Sequence, residues 1–311
     1  PTDMAENPTE THTSCVGDMA RLRATLLEMA ALLLDVCRRH GLRVWANGGT
    51  MLGAVREGGF IAWDDDIDMM MMRPDYEKLL AVAAEEFRHP YFLQSVDTEP
   101  GYIRGHAQLR NSLTCGMLPQ DLWQPFNQGV FIDIFVIDNL PEGEDARRRV
   151  FGRIERMRRN LQIRNYGSLL APRFYRQLLA KLRIDRAGGL RAYFRRMESE
   201  LLDYPRKSST KVGIAMWECR DPQRRTEEAS WYATTEYFPF ENLRMPVPGG
   251  YDAYLRHFFG DYMTPRKDPS CHGELIIDLD RSYQEVVAER RRSARLIDKL
   301  RKFFSLNVAT D

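Results

Sequence analysis

The stretch "WANGGTMLGAVREGGFIAWDDDIDMMM", residues 45–71, sets a double glycine after an apolar run and then crowds four carboxylates into five positions. Its parts can be read in turn. "LRVWAN" (42–47) is a short buried strand leading into Gly48-Gly49, "TMLGAVR" (50–56) suits a short helix, and "EGGF" (57–60) is a loop. From 64 to 72 the chain reads as a strand, whose side chains alternate between faces. Asp64, Asp66 and Asp68 then form a comb on one face, with Ile67, Met69 and Met71 on the other. Asp65 points away from the comb and pairs or caps, and the methionine run is core. Two ionised carboxylates about 7 Å apart repel by on the order of 2 kcal/mol at an effective dielectric near 20. A comb at the mouth of an apolar strand therefore calls for a cation, and hard oxygen ligands select Mg²⁺ or Mn²⁺.

The glycine pair supplies the complementary half. Between a strand and a helix start, backbone amides without a Cβ in the way can approach a phosphate, and the helix N-terminus favours an anion. Gly48, Gly49, the Thr50 hydroxyl and the Arg56 charge are the candidate donor-binding groups. Asp133 in "GVFIDIFVI" (129–137) is a lone charge inside an apolar strand, costly there without a partner. It is the candidate third ligand beside Asp66 and Asp68, with Asp64 a fourth; pairing with an arginine such as Arg110 is the alternative. A phosphate cradle beside a metal-binding comb is the arrangement phosphoryl transfer needs.

Outward from this centre, helical spacing of Leu22, Leu26, Met29, Leu33 and Val36 predicts a helix over 19–39, and Pro74-Asp75 opens another reaching Phe87. "YFLQSV" (91–96) and "HAQLRNSLTC" (106–115) read as strands, with His106 either near the site on its strand or, more commonly for such a residue, a satisfied structural histidine, and Asp138 a turn residue. The class is α+β: a mixed-sheet core followed by a helical, basic C-terminal region. We divide the chain into a disordered tail (1–15), a catalytic core (16–140), a basic helical segment (141–235) and a C-terminal helical region completing the site (236–311). Between Arg147 and Arg196 sixteen Lys/Arg face two acids, although the whole chain nets only +1. These helices present either a solvated surface or a face for an anionic glycan or an anionic membrane leaflet. In "FENLRMPVPGGYDAYLRHFFGDYMTPRKDPSCHGE" (240–274) turn residues alternate with aromatics, and Tyr251, Tyr254, Phe258 and Tyr262 read as one buried helix stripe. Residues 281–304 form a charged helix. Five scattered cysteines with no CxxC argue for a reducing, cytoplasmic compartment and against a zinc ribbon, and Cys271-His272 reads as an unpaired thiol beside a histidine.

The order glycine pair, Asp-x-Asp, later strand Asp is similar to that of the nucleotidyltransferase superfold. The fuller string "GGTMLGAVREGGFIAWDDDIDMMMMRPDYEKL", with "GVFIDIFVID" and "YDAYLRHFFGDYMTP", resembles the LicD family, which includes fukutin and fukutin-related protein. Ala62 stands where that family's "FIPWD" has proline. The resemblance implies transfer of a phosphorylated alcohol, such as phosphocholine, from a CDP-alcohol donor to a sugar hydroxyl of a glycan or lipid-linked glycan acceptor, releasing CMP. It also implies that Asp66, Asp68 and Asp133 hold the divalent metal, that Gly48, Gly49, Thr50 and Arg56 face the donor diphosphate, and that His272 lies near the site. Trp63 could cover a choline headgroup, or simply pack. No nucleic-acid partner is expected, and any membrane contact would be peripheral, at the inner face. Three rivals differ in testable ways: a nucleotidyltransferase using NTP would release pyrophosphate, a sugar-nucleotide glycosyltransferase would lack the glycine–helix unit, and a non-catalytic binding protein would not need the acids.

Overall fold

The computed structural model describes residues 13–166, 174–202, 209–217, 221–265 and 275–307. Helix α1 (Thr13–Arg39) buries Leu22, Leu26, Met29, Leu33 and Val36, the face its spacing predicts, and ends on Arg38 and Arg39, where cations suit the helix dipole. Strand β1 is only Trp45–Ala46, shorter than the expected 42–47, and helix α2 (Gly48–Arg56) starts at the glycine pair itself.

Strand β2 spans Asp68–Met72 and buries Met69, Met70 and Met71. It begins four residues later than the sequence suggests. In residues 64–67 the Ile67 carbonyl still accepts from the Asp133 amide of the neighbouring strand at 3.1 Å, but at Asp64 an arginine takes up the carbonyl instead. Arg23 of α1 donates from Nη2 to the Ile61 and Asp64 carbonyls, both at 2.8 Å, and from Nε to Asp64 at 3.1 Å. Helix α3 (Arg73–Glu86) follows without a break, Pro74 sitting in its first turn where no amide is required.

Strands β3 (Tyr91–Gln94), β4 (Ala107–Asn111), β5 (Cys115–Met117) and β6 (Val130–Asn139) come next. The central sheet runs β1-β2-β6-β4-β3, with β2 and β6 parallel and the other neighbours in that order antiparallel. Strands β7 (Lys211–Gly213) and β8 (Glu227–Glu228) extend it from the far end of β6. The chain thus has the α+β class its sequence predicts.

The basic middle segment forms α4 (Glu144–Tyr166), α5 (Phe174–Arg186) and α6 (Leu190–Leu202). A buried ion cluster pins α6 to the sheet. Arg73, opening α3, forms a two-pronged pair with Asp138 of β6 (2.7 and 2.8 Å) and also donates to Glu198 of α6. Asp138 is therefore no turn residue. It is only 2% exposed, on a strand that runs to Asn139.

Residues 235–248, which the sequence reading left without strands, form a hairpin of β9 (Thr235–Phe240) and β10 (Leu243–Pro248). It packs beside β1, with the Trp45 indole donating to Thr235 Oγ1 at 2.9 Å. Helix α7 (Tyr251–Phe259) buries Tyr254 and Leu255, so the expected aromatic stripe is real but ends before Tyr262. Strand β11 (Ile276–Asp278) pairs with β5, and α8 (Tyr283–Asn307) closes the described chain.

Glu227 is buried next to β2, its carboxyl accepting from the Tyr232 hydroxyl, which also points at Met70 Sδ. Burial pushes its carboxyl up to about 7. Between the ordinary carboxylate value and 7 the native state holds a proton the unfolded chain has released, so stability falls as pH rises through that window. Glu227→Gln should remove this slope, and melting temperatures of both proteins at pH 5 and pH 8 would show it. An unchanged difference between the two pH values would refute the burial argument.

Candidate active site

The parallel pairing of β2 with β6 sets Asp68 directly opposite Asp133. Adjacent strands lie about 4.8 Å apart and opposite residues share a face, so the two carboxyl groups project side by side. Burial, and then the charges of Asp66, Asp133 and Asp64, push the Asp68 carboxyl well above the usual carboxylate range. Burial works the same way on Asp133, but His106, Gln108 and Arg104 outweigh it and hold that carboxyl below its usual value. His106 Nε2 lies 3.1 Å and Gln108 Nε2 2.6 Å from Asp133 Oδ1. Among the described residues the acid thus has no direct arginine partner. Arg110 and Arg104 both donate to Gln108 Oε1, and reach Asp133 only through that amide.

The N-terminus of α2 closes the site from the other side. Gly48 holds φ +50°, and a Cβ built there would stand 3.8 Å from Asp68 Oδ2. On Gly49 a Cβ would stand 2.9 Å from Asp64 Oδ2, closer than a side chain tolerates. The glycine pair therefore makes room first for the protein's own acids, which lie against the positive end of the helix. Asn47 caps the helix backbone, and its side chain accepts from the Tyr254 hydroxyl of α7 at 2.6 Å.

Two cavities meet at this point. The first, about 440 Å³, holds Asp65, Asp66, Asp68 and Asp133 at one end and Arg104, Arg158 and Tyr166 elsewhere on its wall. The second, about 420 Å³, is bordered by Asn47, Gly48, Asp68, Tyr254, Arg224 and Arg225. Asp68, Phe135 and Trp217 line both. His106, Phe135 and Trp217 form an aromatic cluster there, with ring centroids 4.6 to 5.6 Å apart.

The sequence-derived candidates distribute unevenly over this geometry. Asp68, Asp133 and Asp66 come together at the first cavity, and Asp64 lies beside Gly49. Asp65 lines the cavity as well, because 64–67 is not the regular strand that would have turned it away. Thr50 does not face a donor: its hydroxyl is buried and accepts the Asp68 amide at 2.9 Å, bracing the strand. Arg56 is also misplaced by the sequence reading. It closes the far end of α2, about 12 Å from Gly48 at 1.5 Å per residue, and is spent on the Tyr262 carbonyl (2.8 Å) and Glu57 (2.7 Å). Trp63 packs half-buried against the core and lines neither cavity. His272 and Cys271 lie outside the described residues.

His106 and Gln108 went unrecognised as partners of Asp133, although the signal was present. In "RGHAQLR" (104–110) every second residue is polar, which puts Arg104, His106, Gln108 and Arg110 on one face. Trp217, Arg224 and Arg225 carry no such pattern. Among the described residues no three His, Cys, Asp or Glu side chains already enclose a common point at ligand distance. Carboxylates crowding a buried acid that no arginine neutralises are nevertheless the donor chemistry a hard divalent cation takes.

Residues 41–135, which contain the glycine pair and every one of these acids, match the model of the LicD/FKTN/FKRP nucleotidyltransferase domain. That span is a LicD-type nucleotidyltransferase domain. The chain is 24% identical over 266 residues to the lipopolysaccharide cholinephosphotransferase LicD of Haemophilus influenzae, covering 80% of this chain and 96% of that protein. Over 48 residues it is 46% identical to the ribitol 5-phosphate transferase FKRP of human and of mouse, 15% of this chain and 10% of theirs. The LicD match extends well beyond the nucleotidyltransferase domain. The chain is accordingly an enzyme of the LicD phosphotransferase type. Among the described residues no helix is long and apolar enough to cross a membrane.

Proposed function

We propose that the protein transfers a phosphorylated alcohol from a CDP-alcohol to a sugar hydroxyl of a glycan acceptor and releases CMP. The observation that carries this reading is the Asp68–Asp133 pair, set by strand register at the junction of two cavities of different character. In this reading the donor diphosphate occupies the cavity beside Asn47 and Gly48, where Arg224 and Arg225 supply the positive charge first assigned to Arg56. The acceptor enters the larger, more apolar cavity. Asp66, Asp68 and Asp133 would hold Mg²⁺ or Mn²⁺, which when bound would neutralise phosphate charge.

The chain's own groups do the rest. Asp133 faces only the acceptor side, and His106 and Gln108 fix its orientation and keep it ionised, the form able to take the proton of the acceptor hydroxyl. The freed oxygen forms a bond to the alcohol-bearing phosphorus, and the bond from that phosphorus to CMP breaks, the charge leaving on CMP. Trp217, Phe135 and His106 give the junction an aromatic wall. Donor and acceptor meet in line, so positioning carries much of the rate.

The test is a panel of CDP-alcohols with Mg²⁺, with and without cell-envelope glycans, assayed for CMP. Release that depends on the acceptor and on one alcohol is expected. Pyrophosphate release from an NTP, with no CMP from any CDP-alcohol, would overturn the proposal in favour of nucleotide transfer.

A further inference from the structure

Helix α5 is held to the molecule by one narrow face, on which Ala180 and Ile184 are buried. Its opposite face is also apolar, and it is open. Tyr175, Leu178, Leu179 and Leu182 are 43 to 51% exposed. At 3.6 residues per turn these four fall within an arc of about 100°. A surface helix of a globular protein carries polar residues there, and a contiguous apolar stripe in solvent marks an interaction surface.

The margins of the stripe are basic. Arg176 and Arg183 flank one edge, Lys181 and the helix's single acid, Asp185, tied to each other at 2.5 Å, flank the other, and Arg186 stands in line with the stripe at its C-terminal end; all five are exposed. Leucines and an aromatic bordered by arginine and lysine are the layout of a helix that lies in a membrane interface. We propose that α5 docks the protein on an anionic lipid bilayer, with Tyr175, Leu178, Leu179 and Leu182 at the acyl boundary and the basic side chains among the headgroups. A second copy is a poorer occupant. Packing two α5 stripes together would set four bases and one acid against the same set. An anionic headgroup layer complements that charge.

The dock is also coupled to the acceptor cavity. Arg183 Nη1 donates to Asn160 Oδ1 of α4 at 3.3 Å, and Arg158, Gln162 and Tyr166 of the same helix line the larger cavity. A bilayer held by α5 would therefore lie against the helix that walls the acceptor side.

The experiment is co-sedimentation of the full chain with vesicles of phosphatidylglycerol and phosphatidylcholine, against vesicles of phosphatidylcholine alone, at low and high salt. Binding should be at least about tenfold stronger to the anionic vesicles and should fall with salt. Leu178→Glu with Leu182→Glu should lose about tenfold or more of that binding, with an unchanged melting temperature. CMP release plays no part in this readout, so it stands or falls apart from the proposed reaction. Equal binding to both vesicle types, or binding that the double variant retains, would overturn the proposal. So would a dimer in sedimentation velocity that the double variant dissociates, which would assign the stripe to a second copy.

Discussion

Asp68→Asn is expected to cut turnover about 10³-fold or more while making the metal-free protein more stable. The two halves have one cause. The Asp68 carboxyl is destabilised by burial and by the charges of Asp66, Asp133 and Asp64, and among the described residues no arginine offsets them. An amide of the same shape removes that repulsion, which for one carboxylate pair is on the order of 2 kcal/mol. It also removes the group that borders both cavities. Sites that do chemistry are commonly those where the fold tolerates strain, so gain of stability with loss of rate distinguishes a functional acid from a structural one. Thermal melting without metal and CMP release from the active CDP-alcohol measure the two halves. A variant keeping more than about a tenth of the wild-type rate would remove Asp68 from the mechanism.

Arg73→Ala is expected to cost about 3–5 kcal/mol of stability. Arg73 is 5% exposed and answers two buried carboxylates at once, Asp138 at 2% and Glu198 at 5%. Glu198 keeps a second partner in Arg195, whereas Asp138 is left bare. At this chain length the loss corresponds to a drop on the order of 10 °C in melting temperature. Replacing all three by apolar residues, Arg73→Met with Asp138→Leu and Glu198→Leu, should recover most of it, because no charge then remains to be solvated. A single variant that melts within about 2 °C of the wild type would show the cluster to be incidental.

The acids of the site were legible in the sequence because their cost was legible. A charge inside "FIDIF" or at the mouth of a methionine strand needs a reason, and the structure brings Asp133 and Asp68 into register as that reasoning required. The regular strand drawn through 64–72 was less secure. Alternation shows which face a residue would take if the strand existed, and it is silent on whether a neighbour is there to pair. Arg23, some forty residues upstream, took the Asp64 carbonyl instead, and Asp65 turned toward the cavity. Arg56 failed for a related reason. Proximity in sequence to the glycine pair suggested proximity in space, but a nine-residue helix carries its last side chain away from its N-terminus.

The sequence by itself determined the elements and the chemistry: a periodic first helix, a glycine-opened second helix, two strands with acids where acids are costly, and a basic helical middle. These follow from local periodicity and from the free energy of burying charge, which depend on near neighbours along the chain. Only the tertiary structure decided that His106 and Gln108 hold Asp133, that Trp217 stands between two cavities, that Arg224 and Arg225 face Gly48, and that one flank of α5 is left open. Each of those facts is a meeting of distant segments, and such meetings are fixed by strand register and helix packing, which have no signature in either segment alone.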